Sequence, residues 1–166
     1  METTDEATRF AEWAQPCVLS MTRLARRLAP ADEVDDIVQD ALVRAWQKWD
    51  QFDASRGTAI TWLLAITADQ ARATRRRAAR RLRAVDDGSP LPDRAADEQR
   101  RDLDLDHAVR RLAKRQRLAV ELHYFVGLSV DETAAVMSCS PGTVKSTLHD
   151  ARTALRNQLG DEHRER

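Results

Sequence analysis

The chain has 166 residues, enough for one ordinary domain or two small ones, and it holds only five Gly, five Pro and one Tyr among abundant Ala, Leu and Arg. A third of the residues are charged, 27 basic against 27 acidic, and Ala, Leu and Arg cost little side-chain entropy in a helix, so the composition reads as a well-solvated, mostly helical protein. The absence of any apolar run of about 18 residues excludes a membrane-spanning helix, the acidic start Met-Glu-Thr-Thr-Asp-Glu is unlike a secretion signal, and Cys17 and Cys139, far apart in the chain, read as reduced thiols in a cytoplasm.

The neutral total hides a segregation of charge. Residues 1–50 carry ten acids and six bases, residues 72–83 seven Arg and no acid, residues 84–106 eight acids against three Arg, and residues 107–160 eight bases against four acids. Local fields decide contacts at screened range, so a zero net charge is compatible with a nucleic-acid partner.

From about residue 6, Phe10, Trp13, Val18, Leu19, Leu24 and Leu28 recur at roughly helical spacing. Ala29-Pro30-Ala31-Asp32 breaks that helix and offers Asp32 as an N-cap for the next. There Val34, Ile37, Val38, Ala41, Leu42, Ala45 and Trp46 make an apolar stripe, with Asp35, Asp36, Gln39, Asp40, Arg44 and Lys48 opposite. A loop with Asp50, Asp53, Ser55 and Gly57 follows, then a helix from about Ala59 through the Arg-rich run. Trp46, Trp49 and Trp62 read as packing residues. The next stretch is acidic and holds Pro90, Pro92 and Gly88, the composition of a flexible linker.

Beyond it, Leu103, Leu105, Ala108, Val109 and Leu112 predict one helix, and Leu118, Ala119, Leu122, Tyr124 and Phe125 a second. Gly127-Leu128-Ser129 stops that helix. Ser129 with Glu132 is a capping-box pattern for a third helix, whose expected inner face is Val130, Ala134, Ala135, Val136 and Met137. After Ser138-Cys139-Ser140 a fourth begins, with Ser140 as N-cap and Pro141 at the first helical position, where its missing N–H costs nothing. Val144, Leu148, Ala151 and Leu155 face inward, leaving Thr143, Lys145, Ser146, His149 and Arg152 outward. Gly142 leaves room for a phosphate at the free N–H groups of the helix start, and the outward side chains suit base edges and phosphates alike. An ordinary capped surface helix would also open this way. The predicted fold class is all-α: two small helical domains, 6–83 and 103–160, joined by a flexible acidic linker, 84–102, with a helix-turn-helix in the C-terminal domain.

Taken together, the chain resembles a bacterial RNA polymerase sigma factor of the small extracytoplasmic-function type. Asp36-Ile37-Val38-Gln39-Asp40-Ala41-Leu42-Val43-Arg44-Ala45-Trp46 is similar to the pattern with which such proteins grip core polymerase. Phe52-Asp53, Arg56-Gly57 and Thr61-Trp62-Leu63 match the segment leading into the minus-10 reading helix. Gly127-Leu128-Ser129, Glu132 and Gly142-Thr143-Val144-Lys145-Ser146 match the minus-35 module. The resemblance implies that Asp36, Gln39, Asp40 and Arg44 bind polymerase. It implies that Ser55, Arg56, Thr58, Thr61, Asp69, Arg72, Arg75 and Arg76 meet the minus-10 strand, and that Ser140, Gly142, Thr143, Lys145, Ser146, His149 and Arg152 meet the minus-35 element. Asp69 stands where many relatives carry Asn, and Thr147 and Asp150 replace two Arg, which predicts weaker phosphate neutralisation and a shallower salt dependence.

The implied partners are core RNA polymerase, promoter DNA and an anti-sigma factor, without membrane insertion. His107, His123, His149 and His163 are scattered, so no metal or other cofactor is expected, and no catalytic activity. Two other readings stay open on the residues alone. A stand-alone helix-turn-helix regulator accounts for 103–160 but leaves Asp36–Trp46 and the Arg-rich helix without a task. An interaction protein that has lost DNA binding accommodates Asp69, Thr147 and Asp150.

Overall fold

The computed structural model describes residues 2–84 and 100–162, and residues 85–99 of the expected linker lie outside that range. The described residues form seven α-helices and no strand: α1 Glu2–Leu28, α2 Val34–Gln47, α3 Ala59–Ala84, α4 Arg100–Arg111, α5 Lys114–Val120, α6 Val130–Met137 and α7 Pro141–Glu162. The helix α4 begins inside the range expected for the linker.

The first three helices pack on one another around Met21, Leu24, Ile37, Leu63 and Leu64, all essentially inaccessible. Pro16 lies inside α1, which continues through it although a proline removes one ladder hydrogen bond. At one end, Phe10, Trp13, Trp46, Trp49, Phe52 and Trp62 form a single aromatic cluster, with centroid separations of 4.9 Å for Trp13–Phe52 and 5.3 Å for Phe10–Trp46. The three tryptophans read as packing residues therefore belong to one hydrophobic seam joining α1, α2, α3 and the loop between the last two. In the second domain, Val109, Leu112, Ala119, Val120, Ala134, Val144, Leu148 and Ala151 make a smaller core.

Four expectations are corrected. Asp32 does not cap α2: it sits in a 3-10 turn, Ala31–Glu33, and the cap position is Glu33, whose side chain makes no capping hydrogen bond. Leu19 is 61% exposed, because Cys17, Met21 and Leu24 already fill the inward stripe of α1. Tyr124 and Phe125 also point outward. The cause is a π-helical turn, Glu121–Phe125, in which the Val126 N–H reaches back to the Glu121 carbonyl at 2.9 Å. The extra residue per turn rotates the two aromatics off the buried face. Ala135 is exposed too, and Thr133 takes its place inside α6.

The two domains are packed together. Leu118, Leu122, Leu128 and Val136 of the second join the core of the first. Arg27 of α1 anchors the contact. Its guanidinium lies 2.7 Å from Glu121 and 2.8 Å from Asp106, and it stacks on Phe125 at 3.9 Å. Arg117 donates to the Arg27 carbonyl. Glu121 is 1% exposed, and burial pushes its carboxyl above the usual range while Arg27 and Arg117 pull it down.

Candidate nucleic-acid and polymerase surfaces

The apolar stripe of α2 is buried, which turns the opposite side to solvent. Asp36, Gln39, Asp40 and Arg44 are all exposed there. Asp35 and Asp36 fall in the first turn, where the helix dipole favours acids. Val43, 51% exposed, lies seven residues after Asp36 and three after Asp40, hence in the middle of this face. In the sequence it is one residue of the pattern at 36–46, and spacing alone gives it no role of its own.

The loop between α2 and α3 is held by its own side chains. Asp53 accepts from the Ser55 hydroxyl at 2.7 Å and from the Ser55 N–H at 2.9 Å, and these bonds lower its carboxyl from the usual range. The Thr61 hydroxyl donates to the Thr58 carbonyl at 2.8 Å. A Cβ on Gly57 would come within 3.1 Å of the Thr61 hydroxyl, which would have to shift by a few tenths of an ångström to admit it. The result is a cavity of about 300 Å³ whose walls include Phe52, Asp53, Arg56, Gly57, Thr61 and Trp62. Of the expected minus-10 residues, Arg56 and Thr61 line it, whereas Ser55 and Thr58 stand outside and shape the loop. Phe52 and Trp62 present aromatic surface to the cavity as well as to the core, a double role their helical spacing could not reveal. Ala135 and Ser138 of the second domain close the far side.

Asp69, Arg72, Arg75 and Arg76 lie further along α3, all exposed. Asp69 forms an ion pair with Arg72 one turn on, so its negative charge is met within the helix rather than presented alone. That pairing also commits part of the Arg72 guanidinium.

In the second domain the capping box on α6 is complete: Glu132 N–H donates to Ser129 Oγ at 3.1 Å, and Ser129 N–H donates to Glu132 at 2.9 Å. The turn into α7 depends on Ser138, a non-glycine residue at φ 50°. Ser140 then caps α7, its hydroxyl accepting from Thr143 N–H at 3.2 Å. Val144, Leu148 and Ala151 are buried and Leu155 partly so, while Gly142, Lys145, Ser146, His149 and Arg152 are exposed. Thr143 is half-buried and engaged with Ser140, 2.9 Å between hydroxyls. A short helix, a tight turn and a long helix with a free polar face define a helix-turn-helix domain.

Such a domain on a second helical unit with an acidic-polar face is the build of a promoter-recognition subunit. Comparison with known proteins makes this specific. Residues 15–81 match the family described as Sigma-70 region 2, and residues 102–155 match Sigma-70, region 4. The RNA polymerase sigma-E factor of Streptomyces avermitilis is 38% identical over 160 residues, covering 93% of this chain and 87% of the relative. That of Streptomyces coelicolor is 35% identical, with 93% and 88% covered. Among solved structures, the sigma factor RpoE of Bartonella quintana, bound to the anti-sigma factor NepR, aligns with a TM-score of 0.76 at 28% identity over 92% of this chain and 97% of that one. CnrH, in complex with the cytosolic domain of CnrY, aligns at 0.68 and 27%, covering 92% and 88%. The chain belongs to the sigma-70 family, in its extracytoplasmic-function group. It is a sigma factor that directs RNA polymerase to specific promoters, not a stand-alone regulator.

Proposed function

We propose the following division of labour. The exposed side of α2, with Asp36, Gln39, Asp40 and Arg44 around Val43, holds core polymerase. Charges ring an apolar centre there, an arrangement that sets register and encounter rate while the apolar residue supplies burial. The cavity at Arg56, Thr61 and Trp62 receives one unstacked base of the minus-10 strand, whose backbone is met by Arg72, Arg75 and Arg76. Ser55 and Thr58 fix the loop that shapes the cavity, and Asp69 restrains Arg72. On α7, Lys145 and Arg152 meet phosphate or guanine, Ser146 and His149 reach base edges, and Ser140, Gly142 and Thr143 form the helix start that approaches the backbone. The minus-10 segment lies within 6–83 and the minus-35 segment within 103–160.

The chain performs no chemistry itself: it acts in the cytoplasm, where polymerase supplies the catalysis. An anti-sigma protein holds it inactive, as the partners of the aligned Bartonella sigma factor and of CnrH suggest. The observation that carries the whole reading is one chain with a polar, valine-centred α2 face and a helix-turn-helix whose long helix leaves its outward side free.

The test is transcription by purified core polymerase and this chain from a library of bacterial promoter fragments. Lys145→Ala and His149→Ala should each weaken selected promoters by about 1–3 kcal/mol. His149→Ala should relax the preference at one base pair, while Lys145→Ala should also flatten the salt dependence. Selection of the same fragments with the same preferences by both variants would overturn the assignment of α7.

A further inference from the structure

Between the two domains lies a second cavity, of about 300 Å³. Arg72 and Arg75 reach it from α3, and Lys114, Arg115 and Arg117 from α5. No acidic residue lines it. Its apolar wall is Leu118 and Met137 from one domain with Leu28 and Ala71 from the other.

Like charges held this close repel, and three of the five have no acid to offset them. Arg72 is paired with Asp69, whereas Arg75, Lys114 and Arg115 make no ion pair among the described residues. Arg117 is the most constrained. Its Nε is buried without a hydrogen-bond partner and stands 3.8 Å from Glu121. Burial first, then the positive field of Arg75, Arg110 and Arg27, push its guanidinium below the usual arginine range, against the pull of Glu121. An adjoining groove shares Arg75 and Arg117 and adds Arg26, Arg27 and Arg110, with Asp32 and Asp35 on its other wall. An anion in the cavity would relieve that field at Arg75, Lys114 and Arg115.

The size and the apolar wall narrow the ligand. A cavity near the lower limit for small-molecule sites, roughly 300 Å³, admits a molecule and not a duplex. Phosphates suit the guanidinium and ammonium rim, and a flat ring suits the surface of Leu118 and Met137. We propose that this cavity binds a small nucleotide bearing a polyphosphate, and that by touching both domains the ligand holds them together. If Arg72 and Arg75 meet the minus-10 strand, as proposed above, the ligand also withdraws them from promoter DNA.

Titration calorimetry on the full chain, at fixed ionic strength, tests this with ATP, inorganic tripolyphosphate and adenosine as probes. The expected result is saturable 1:1 binding of ATP, binding of tripolyphosphate weaker by about tenfold, and none of adenosine. The double variant Lys114→Ala/Arg115→Ala touches neither promoter surface. It should weaken ATP by about tenfold or more, with a thermal midpoint in the absence of ligand that is no lower than that of the parent chain. Unsaturable ATP binding, or ATP binding equally tight in the double variant, would overturn the site. Equal affinities for ATP and tripolyphosphate would overturn the nucleotide assignment. None of these readouts involves polymerase or DNA. Failure of the minus-10 assignment would show separately, as promoter opening unimpaired by Arg75→Ala.

Discussion

At the scale of single residues, three positions carry more than their neighbours. Thr133 is wholly buried in α6 with its hydroxyl unpartnered, and an unsatisfied buried polar group typically costs about 1–3 kcal/mol. Valine has nearly the same shape and nothing to satisfy, so Thr133→Val should stabilise the chain by about 1 kcal/mol, read as a higher midpoint in urea without a change of slope. Gly57 lies close under the Thr61 hydroxyl, which a larger residue there would have to displace slightly. Val43 stands in the sequence as one residue of the pattern at 36–46, with no role of its own to read from spacing. Helical phase sorted α2 correctly into stripe and face, but phase alone cannot distinguish a solvated valine from one meant for a partner. Ser55 and Thr58 show the converse: family pattern placed them at a minus-10 pocket, and their hydroxyls are engaged within the loop, Ser55 donating to Asp53 and Thr58 accepting from the Thr61 N–H. Side-chain direction within an irregular loop is set by such bonds, and they leave no periodic trace.

At the scale of elements, what was legible was what local chemistry dictates. The Ser129–Glu132 capping box, the Ser140 cap and Pro141 at the start of α7 follow from residues within one turn of each other. What was not legible came from longer range. The π-helical turn at Glu121–Phe125 has the composition of an ordinary helix, yet it carries Glu121 into the interface while Tyr124 and Phe125 turn outward. The capping box invites a direct test. Ser129→Ala should cost about 0.5–2 kcal/mol, measured by chemical denaturation. The hydrogen bonds from Ser129 hold the Glu132 carboxyl below its usual range. A lowered carboxyl contributes stability that is present above its unfolded titration range and lost as pH falls through the folded one. Because the Ser129 N–H that holds the carboxylate survives Ser129→Ala, the test of the charge is Glu132→Ala: its cost should shrink in acid, and a cost independent of pH would show that the Glu132 charge contributes nothing.

At the scale of the whole molecule, the segregated charge was compatible with a nucleic-acid partner and the linker composition marked two domains, but neither gave a sign that the halves pack together through Arg27, Asp106 and Glu121. Residues 94 positions apart have no spacing to read. Because Glu121 is almost inaccessible, Arg27→Ala would leave a buried carboxylate short of its main partner, a change that typically costs about 3–5 kcal/mol. The expected outcome is loosened packing of the domains, seen as faster amide exchange at α5 and α6. Burial raises the Glu121 carboxyl, so its contribution runs opposite to that of Glu132. It is present below the unfolded range and lost as pH rises through the folded one. In the packed arrangement Ala135 and Ser138 of the second domain line one wall of the cavity proposed for the minus-10 base. The α2 face proposed to bind polymerase is a different surface from that contact.

Polymerase binding at that face is the most direct measurement. Affinity for core RNA polymerase should be compared between the chain and its Asp36→Ala/Gln39→Ala/Asp40→Ala variant. All three side chains are exposed, so the variant should keep its thermal midpoint. The account predicts tight binding by the chain and a loss of about 2 kcal/mol or more in the variant, the scale of a central interface residue. Equal binding by a folded variant would contradict it and move the polymerase contact off α2.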